Sequence, residues 1–276
     1  MSARRPETAL VTGCSSGTGR AIARRLRDSG CTVYATARSP EDLAALAAEG
    51  LRAVALDVTD GASAAVAVRQ ILESAGAIDI LVNNAGIGYA GAVATASMEQ
   101  VAAQFTTNVF GPLRLTQLVA AAMTARGSGT IVNLSSVAGR FGLPGSGAYS
   151  ASKHALEGLS DALRAELRPY GVRVVLVEPA VVRTPFGAKA TAGGPETAGD
   201  GYARAIADWY AATYGPAPRT PAGRFASTPE AVARVVCRAA LARRPRARYT
   251  VGVLAAGLLT LRRWAPAPVF ELFVRG

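Results

Sequence analysis

The chain has 276 residues, half of them hydrophobic and 18% charged, which suits one large α/β domain with a sizeable core and excludes a disordered chain. The formal charge is +11, and of the 30 basic residues only Lys153 and Lys189 are lysines. The arginines are scattered in small clusters such as Arg24-Arg25, Arg243-Arg244 and Arg262-Arg263, without interleaved aromatics. This argues against a nucleic-acid platform and favours an anionic cofactor or substrate.

Cys14, Cys31 and Cys237 are far apart and form no CxxC, so they read as reduced thiols of a cytoplasmic protein. No Cys/His cluster suggests a metal, and the one histidine, His154, reads as an ordinary helix residue. Met1 to Pro6 carries two arginines but no apolar run, so no signal peptide is expected. The apolar stretch Tyr249 to Leu261 is too short to span a bilayer and reads as core. Alternatively, the basic tail with Arg262, Arg263, Trp264 and Phe270 could rest on a membrane surface as a peripheral contact.

In chain order, Thr8 to Thr12 predicts a buried strand, followed by Gly13-Cys14-Ser15-Ser16-Gly17-Thr18-Gly19 and a helix through Ile22, Ala23 and Leu26. Strand, glycine turn and helix N-terminus make a phosphate site, or merely a tight connection. Cys31 to Ala37 predicts the second strand. At its end stand Ala37 and Arg38, where a carboxylate would select a free ribose 2′-OH. Arg38 could bind a 2′-phosphate, which favours NADP over NAD, or could be a solvated loop arginine. The third strand, Leu51 to Leu56, ends at Asp57, a candidate for the adenine amino group or for capping the next helix over 62–75. The fourth, Asp79 to Val82, runs into Asn83-Asn84-Ala85-Gly86, whose small residues would let a cofactor lie against the backbone.

A long helix is predicted over 97–125, interrupted by Asn108 and disturbed at Gly111-Pro112. Thr130 to Leu134 and Arg173 to Val177 predict the fifth and sixth strands. Alternating strands and helices predict a single-domain, Rossmann-like, doubly wound parallel sheet with helices on both faces and ligands at the strands' carboxyl ends. The segment 184–225 is rich in Gly, Pro and Ala, with one helical piece at Tyr202 to Tyr214. Its aromatics Phe186, Tyr202, Trp209, Tyr210 and Tyr214 suggest an apolar lid, or else an interface flap. A helix from Thr228 to about Leu241 and a last strand at Tyr249 to Val251 complete the chain.

Between the fifth and sixth strands lies Ala148-Tyr149-Ser150-Ala151-Ser152-Lys153, at the head of a helix carrying Leu156, Leu159, Leu163 and Leu167. Tyr149 and Lys153 share a helix face, so an ammonium lies near a phenol and would lower its pKa toward neutrality. Such a tyrosine can exchange a proton with an alcohol or carbonyl oxygen. A surface pair on an amphipathic helix is the alternative.

Five motifs in order decide between them: Thr12-Gly13-x-x-x-Gly17-x-Gly19, Asn83-Asn84-Ala85-Gly86, Asn108-Val109-Phe110-Gly111, Asn133-Leu134-Ser135-Ser136 and Tyr149-x-x-x-Lys153. Over residues 7 to 184 the chain resembles the classical short-chain dehydrogenase/reductase family. The Thr-Gly-Cys-Ser-Ser-Gly opening, Val33 to Arg38 and Ala151 to Gly158 look like its NADP-dependent 17-beta-hydroxysteroid and retinol dehydrogenase branch. The resemblance implies a catalytic set of Asn108, Ser136, Tyr149 and Lys153. Tyr149 is then the acid/base, Lys153 tunes it and holds the nicotinamide ribose, Ser136 steadies the substrate oxygen, and Asn108 anchors a water. Ser136 is chosen over Ser135 because the family's serine usually precedes its tyrosine by thirteen residues. Implied cofactor contacts are Gly13, Ser15, Ser16, Gly17, Thr18, Gly19, Arg38, Asp57, Val58, Asn84, Ala85, Gly86, Tyr149, Lys153, Pro179, Val182 and Thr184. One departure is Ala180, where the family has Gly after the proline; its methyl could crowd the nicotinamide. The implied reaction is hydride transfer between NADP(H) and a carbonyl or secondary alcohol. The lid suggests a lipophilic substrate, with a small polar intermediate as the alternative and a non-catalytic NADP-binding sensor or scaffold as the rival. A homodimer or homotetramer is expected through the helices at 97–125 and 148–168.

Overall fold

The computed structural model describes residues 7–192, 201–214, 218–266 and 268–270. Seven strands form one parallel sheet: β1 (Thr8–Val11), β2 (Thr32–Ala37), β3 (Arg52–Ala55), β4 (Ile80–Asn83), β5 (Gly129–Leu134), β6 (Val172–Pro179) and β7 (Arg248–Val251). Their order is β3-β2-β1-β4-β5-β6-β7, so the winding reverses between β1 and β4. β1, β4 and β5 are buried along their whole length, as continuous apolar strands of a sheet covered on both faces must be.

Two helical layers cover the faces. On one side α1 (Gly17–Asp28), α2 (Pro40–Ala48) and α10 (Pro229–Leu241) place Ile22, Leu26, Leu46, Val232 and Val236 against Val11, Val82 and Val175. On the other, α3 (Gly61–Ala75), α5 (Gly111–Arg126) and α6 (Gly147–Leu167) place Val68, Ile71, Leu115, Met123 and Leu163 against Leu10, Leu81 and Ile131. Side-chain caps start several of these helices: Ser39 accepts from the Asp42 amide, Asp60 from Ala62 and Thr228 from Ala231. Asp57, a candidate cap for α3, instead accepts from the amide and hydroxyl of Thr59, because Asp60 stands directly before the helix.

The helix predicted over 97–125 is α4 (Met98–Phe105) and α5 joined by a π turn at Thr106–Phe110. Pro112 has no N–H to donate, and the widened turn lies just before it. The segment predicted as largely irregular holds three helical pieces: α7 (Phe186–Ala192), α8 (Gly201–Tyr214) and α9 (Pro221–Arg224). The stretch expected to be core, Tyr249 to Leu261, continues β7 into α11 (Gly252–Trp264); Tyr249 and Val251 pack with Val232 and Val236, and Ala255, Leu258, Leu259 and Leu261 pack with Val137, Phe141 and Phe270. β7 is an edge strand, so its following helix has only one face to cover. Ala255 is buried, whereas Val253 and Trp264 are 74% and 76% exposed.

Buried amides tie the central strands to α6. Asn83 Nδ2 donates to Asn133 Oδ1 at 2.8 Å, Asn133 Nδ2 to Ser160 Oγ at 2.9 Å, and Ser160 to the Leu156 carbonyl at 2.6 Å. This chain fixes α6 against β4 and β5. Asn133→Ala would leave buried donors and acceptors unpaired beside a small cavity, and is expected to lower unfolding free energy by about 2–4 kcal/mol. Urea denaturation measures this, and a loss below about 1 kcal/mol would show that the chain does not anchor α6.

Candidate active site

The turn after β1 is shaped by atoms that leave no room for side chains. Gly13 and Gly17 have φ of +70° and +56°. A Cβ on Gly19 would lie 2.2 Å from the Gly13 carbonyl oxygen and 2.4 Å from Asn84 Nδ2. Thr12 Oγ1 accepts from the amides of Asn84 and Ala85, both at 3.0 Å, and Asn84 Nδ2 donates to the Thr12 carbonyl at 2.8 Å. The loop after β1 is thus locked to the loop after β4 at the point where the sheet's winding reverses. Ser16 is the N-cap of α1 but makes no side-chain cap bond, so its side chain does not cover the first-turn N–H groups. A groove of bare backbone and helix N–H groups fits a dinucleotide's pyrophosphate.

At the adenosine end, Arg38 follows β2 with its side chain 76% exposed and Nη1 3.7 Å from Asp57 Oδ2. Burial pushes the Asp57 carboxyl up, but the Thr59 bonds and Arg38 outweigh it and hold it below its usual value. Arg38 is therefore loosely paired and able to turn toward an anion. Val58 points the other way, packing on Gly111. At the nicotinamide end, Pro179 closes β6, Val182 bridges to Ser227, and Thr184 Cγ2 lies 3.0 Å from where a Gly17 Cβ would stand. Ala180 raises no conflict: its side chain packs among Val137, Phe141, Ala255 and Phe270, away from the groove, and its φ is not positive.

The π turn delivers Asn108 fully buried. Its amide donates to the Ile87 carbonyl at 2.9 Å and Ser152 Oγ at 3.0 Å, and its Oδ1 accepts from the Ile87 amide at 2.9 Å. Asn108 thus ties the loop after β4 to α6. Gly86 faces this junction: a Cβ there would stand 3.2 Å from Asn108 Oδ1 and 3.9 Å from Lys153 Nζ. Lys153 is buried and donates to the Leu134 carbonyl at 2.8 Å, and its Nζ lies 5.7 Å from the Tyr149 ring centroid.

Ser136 stands at the end of β5 with its hydroxyl toward the Tyr149 phenol. The adjacent Ser135 turns its buried hydroxyl toward Gly139 instead, since successive side chains of extended backbone alternate. Burial pushes the Tyr149 phenol above its ordinary value, with Ser136 pulling less strongly the other way. The lowering by Lys153 expected from the sequence does not occur: burial sets the direction, and Lys153 takes no part in the shift. Burial also brings the Lys153 ammonium down to about 8, while the charge of Glu157 acts in the opposite direction.

Side chains of the 184–225 segment lie against this edge. The Phe186 ring lies 5.6 Å from that of Tyr149 and fills the space that a side chain on Gly88 would need. Tyr210 stacks on Tyr214 with centroids 5.5 Å apart, meets Trp209 edge-on, and shares a hydrogen bond with Ser146. The side chain of Tyr202 lies outside the described residues. Sequence reasoning missed Ser152, which holds Asn108, and Gly88, which admits Phe186; neither residue type at its position carries a chemical signal. His154 donates its Nδ1–H locally, to the Ser150 carbonyl at 2.8 Å. Among the described residues no metal-ligating cluster occurs, and no helix is long and apolar enough to cross a membrane.

The buried lysine makes stability depend on pH. Its folded pKa lies below the ordinary value of 10.5, so the folded protein binds fewer protons than the unfolded chain between about 8 and 10.5. Stability therefore rises with pH across that window relative to Lys153→Met, by at most about 3 kcal/mol. Parallel urea titrations of the two proteins at pH 7 and 10 measure the difference; an unchanged difference would contradict a buried, titrating ammonium.

Residues 7–194 match the sequence profile of the short chain dehydrogenases. The chain is 40% identical over 181 residues to a 3-ketodihydrosphingosine reductase of Bacteroides thetaiotaomicron, covering 66% of each protein. It is 34% identical over 252 residues to an NADPH-dependent 3-dehydrocapnine reductase of Ornithobacterium rhinotracheale, covering 88% of this chain and 87% of the relative. It superimposes with a TM-score of 0.78 on a short chain dehydrogenase/reductase from Burkholderia phymatum in complex with NAD, 27% identical, covering 95% of this chain and 94% of that one. With the seven-stranded fold and the ordered motifs at its carboxyl edge, these matches make the chain a member of the short-chain dehydrogenase/reductase family of oxidoreductases.

Proposed function

We propose that the protein is an NADP(H)-dependent reductase that transfers hydride between the nicotinamide and the carbonyl or secondary alcohol of a lipophilic substrate. The observation that carries this reading is one arrangement: the Tyr149 phenol beside the Ser136 hydroxyl, next to a buried Lys153, with Gly86 open in front. When bound, the cofactor would supply the hydride; every other contribution comes from the chain. Gly13, Ser15, Ser16, Gly17, Thr18 and Gly19 would hold the pyrophosphate. Arg38, Asp57 and the backbone of Val58 would receive the adenosine end, and Asn84, Ala85, Gly86, Pro179, Val182 and Thr184 the nicotinamide end.

As negative charge grows on the substrate oxygen, Ser136 and Tyr149 donate to it. A phenol held above its ordinary pKa keeps its proton until that oxygen becomes basic, which suits an acid in the reductive direction. The buried Lys153 ammonium then offsets the phenolate left behind. Asn108 holds the loop after β4 and α6 at one spacing, so that Lys153 and Gly86 stay in register.

NADP is favoured by Arg38 at the end of β2, and the NADPH-dependent relative supports that choice. A lipophilic substrate is favoured by Phe186 on Tyr149 and the Tyr210–Tyr214 stack, and the relatives named 3-ketodihydrosphingosine reductase and 3-dehydrocapnine reductase support it. A place in the 17-beta-hydroxysteroid and retinol dehydrogenase branch, one cytoplasmic domain, and a homodimer or homotetramer remain part of the same proposal.

NADPH oxidation against ketones and aldehydes graded in size tests it. Turnover should rise with apolar length, and Tyr149→Phe should lower kcat/KM by at least about 10²-fold while NADPH still binds. Unchanged turnover in the variant would sink the assignment. Arg38→Ala should narrow the preference for NADPH over NADH by about tenfold or more, the loss of one charge-assisted contact. Equal preference in both proteins would remove Arg38 from the account.

A further inference from the structure

Behind the proposed site lies a second cluster of charge. Glu157 and Glu178 are both buried, and Arg248 reaches each, with Nε 3.0 Å from Glu157 Oε2 and 3.5 Å from Glu178 Oε1. Arg140 Nη1 donates to Glu178 Oε1 at 2.9 Å, and Arg248 Nη2 to Asp161 Oδ2 at 2.6 Å. Three of the four segments joined here carry the proposed site, and β7 braces them. Arg140 ends the turn that begins at Ser136, Glu157 lies on α6 with Tyr149 and Lys153, Glu178 directly precedes Pro179, and Arg248 opens β7.

Glu157 stands one turn beyond Lys153 on the buried face of α6. Its Oε2 is held by Arg248, but its Oε1 is buried with no hydrogen-bond partner. Ser135 Oγ is likewise unpartnered, and both side chains converge on Gly139. A Cβ there would lie 2.8 Å from Ser135 Oγ, 3.0 Å from Glu157 Cγ and 3.1 Å from the Lys153 carbonyl oxygen. A carboxylate buried at this spot with one oxygen unpaired is unfavourable in itself. What it gains is a cation one turn away.

We infer that Glu157 is the counter-charge of Lys153, a positioning residue set by an ionic brace of Arg248, Glu178 and Arg140. The inference deepens the reductase reading and rests on it for its catalytic meaning. Lys153 faces Tyr149 and Glu157 on its own helix, the Leu134 carbonyl on β5, and Asn108 and Gly86 across the groove; of these only Glu157 carries a negative charge. Glu157 faces Arg248 from β7, Glu178 from β6 and Lys153 from its own helix. Glu178 is raised above the usual carboxylate range by burial and then by Glu157, so the two arginines are needed to hold both acids in place. Acting through space, Glu157 keeps the ammonium charged where desolvation would discharge it.

The chain's two lysines make this directly measurable. In protein labelled with ¹³C-lysine, the Lys153 side-chain signal should titrate near 8. Glu157→Gln should move that titration about one pH unit lower, whereas Glu157→Asp, which keeps the charge, should restore most of the difference. In NADPH-linked reduction the basic limb of the kcat/KM profile should follow the same shift. An unmoved Lys153 in folded Glu157→Gln would overturn the inference. So would a wild-type Lys153 already neutral at pH 6, a result that needs no variant to fold. The NMR shift without any reductase activity would uphold the electrostatic pairing and overturn the reductase reading alone.

Discussion

Keeping a lysine ammonium inside the protein is the constraint on which the site depends. Burial disfavours the charge, and the surroundings of Lys153 offset that in three ways: the Leu134 carbonyl accepts a hydrogen bond, the Tyr149 ring lies alongside, and Glu157 supplies an opposite charge. Each partner comes from an element that something else must hold. α6 is fixed to β4 and β5 by the Asn83–Asn133–Ser160 chain, the loop after β4 is fixed to α6 by Asn108, and the sixth and seventh strands are fixed to α6 by the arginine brace. Polar groups that would be expensive alone are tolerable because they satisfy one another. The Tyr149–Ser136 pair sits at the open end of that framework, where the sheet's carboxyl edge meets the lid.

The other half of the groove is made by the absence of side chains. At Gly19 and Gly13 the neighbouring backbone comes so close that any Cβ would collide, and the same closeness exposes N–H groups of the first turn of α1. Thr12 couples this turn to Asn84 and Ala85, so both walls of the groove move together. One side of the site therefore binds by backbone geometry and the other by buried charge, and the reversal of strand order between β1 and β4 brings the two face to face.

The sheet, its parallel order and most element boundaries were legible because apolar strand runs and helical periodicity alternate cleanly from Thr8 to Val177. The proposed catalytic and cofactor residues were legible for a different reason: chemistry at that sheet edge demands particular residue types at particular spacings. What could not be read has physical causes. The π turn at Thr106–Phe110 depends on the register between Asn108 and Ile87, which local pattern does not encode. The direction of the Tyr149 shift depends on how far the lid buries the phenol, and Phe186 arrives there from a segment whose composition suggested little order. Asp60, not Asp57, caps α3 because Asp60 stands directly before the helix. Only one face of the C-terminal apolar stretch is core: hydropathy counts residues, whereas exposure depends on how many faces an edge element has to cover. Ala180 looked like a steric problem only while the direction of its methyl group was unknown.

The central claim is that this buried pair at the carboxyl edge of the sheet supports hydride transfer to a carbonyl carbon. The most direct test uses NADPH deuterated at the transferable C4 position, with a ketone that the protein reduces, and locates the label in the product by NMR. The account predicts deuterium bonded to the carbinol carbon and none on oxygen or in solvent, because the proton from Tyr149 and the hydride arrive separately. Product formed without label on that carbon would contradict it.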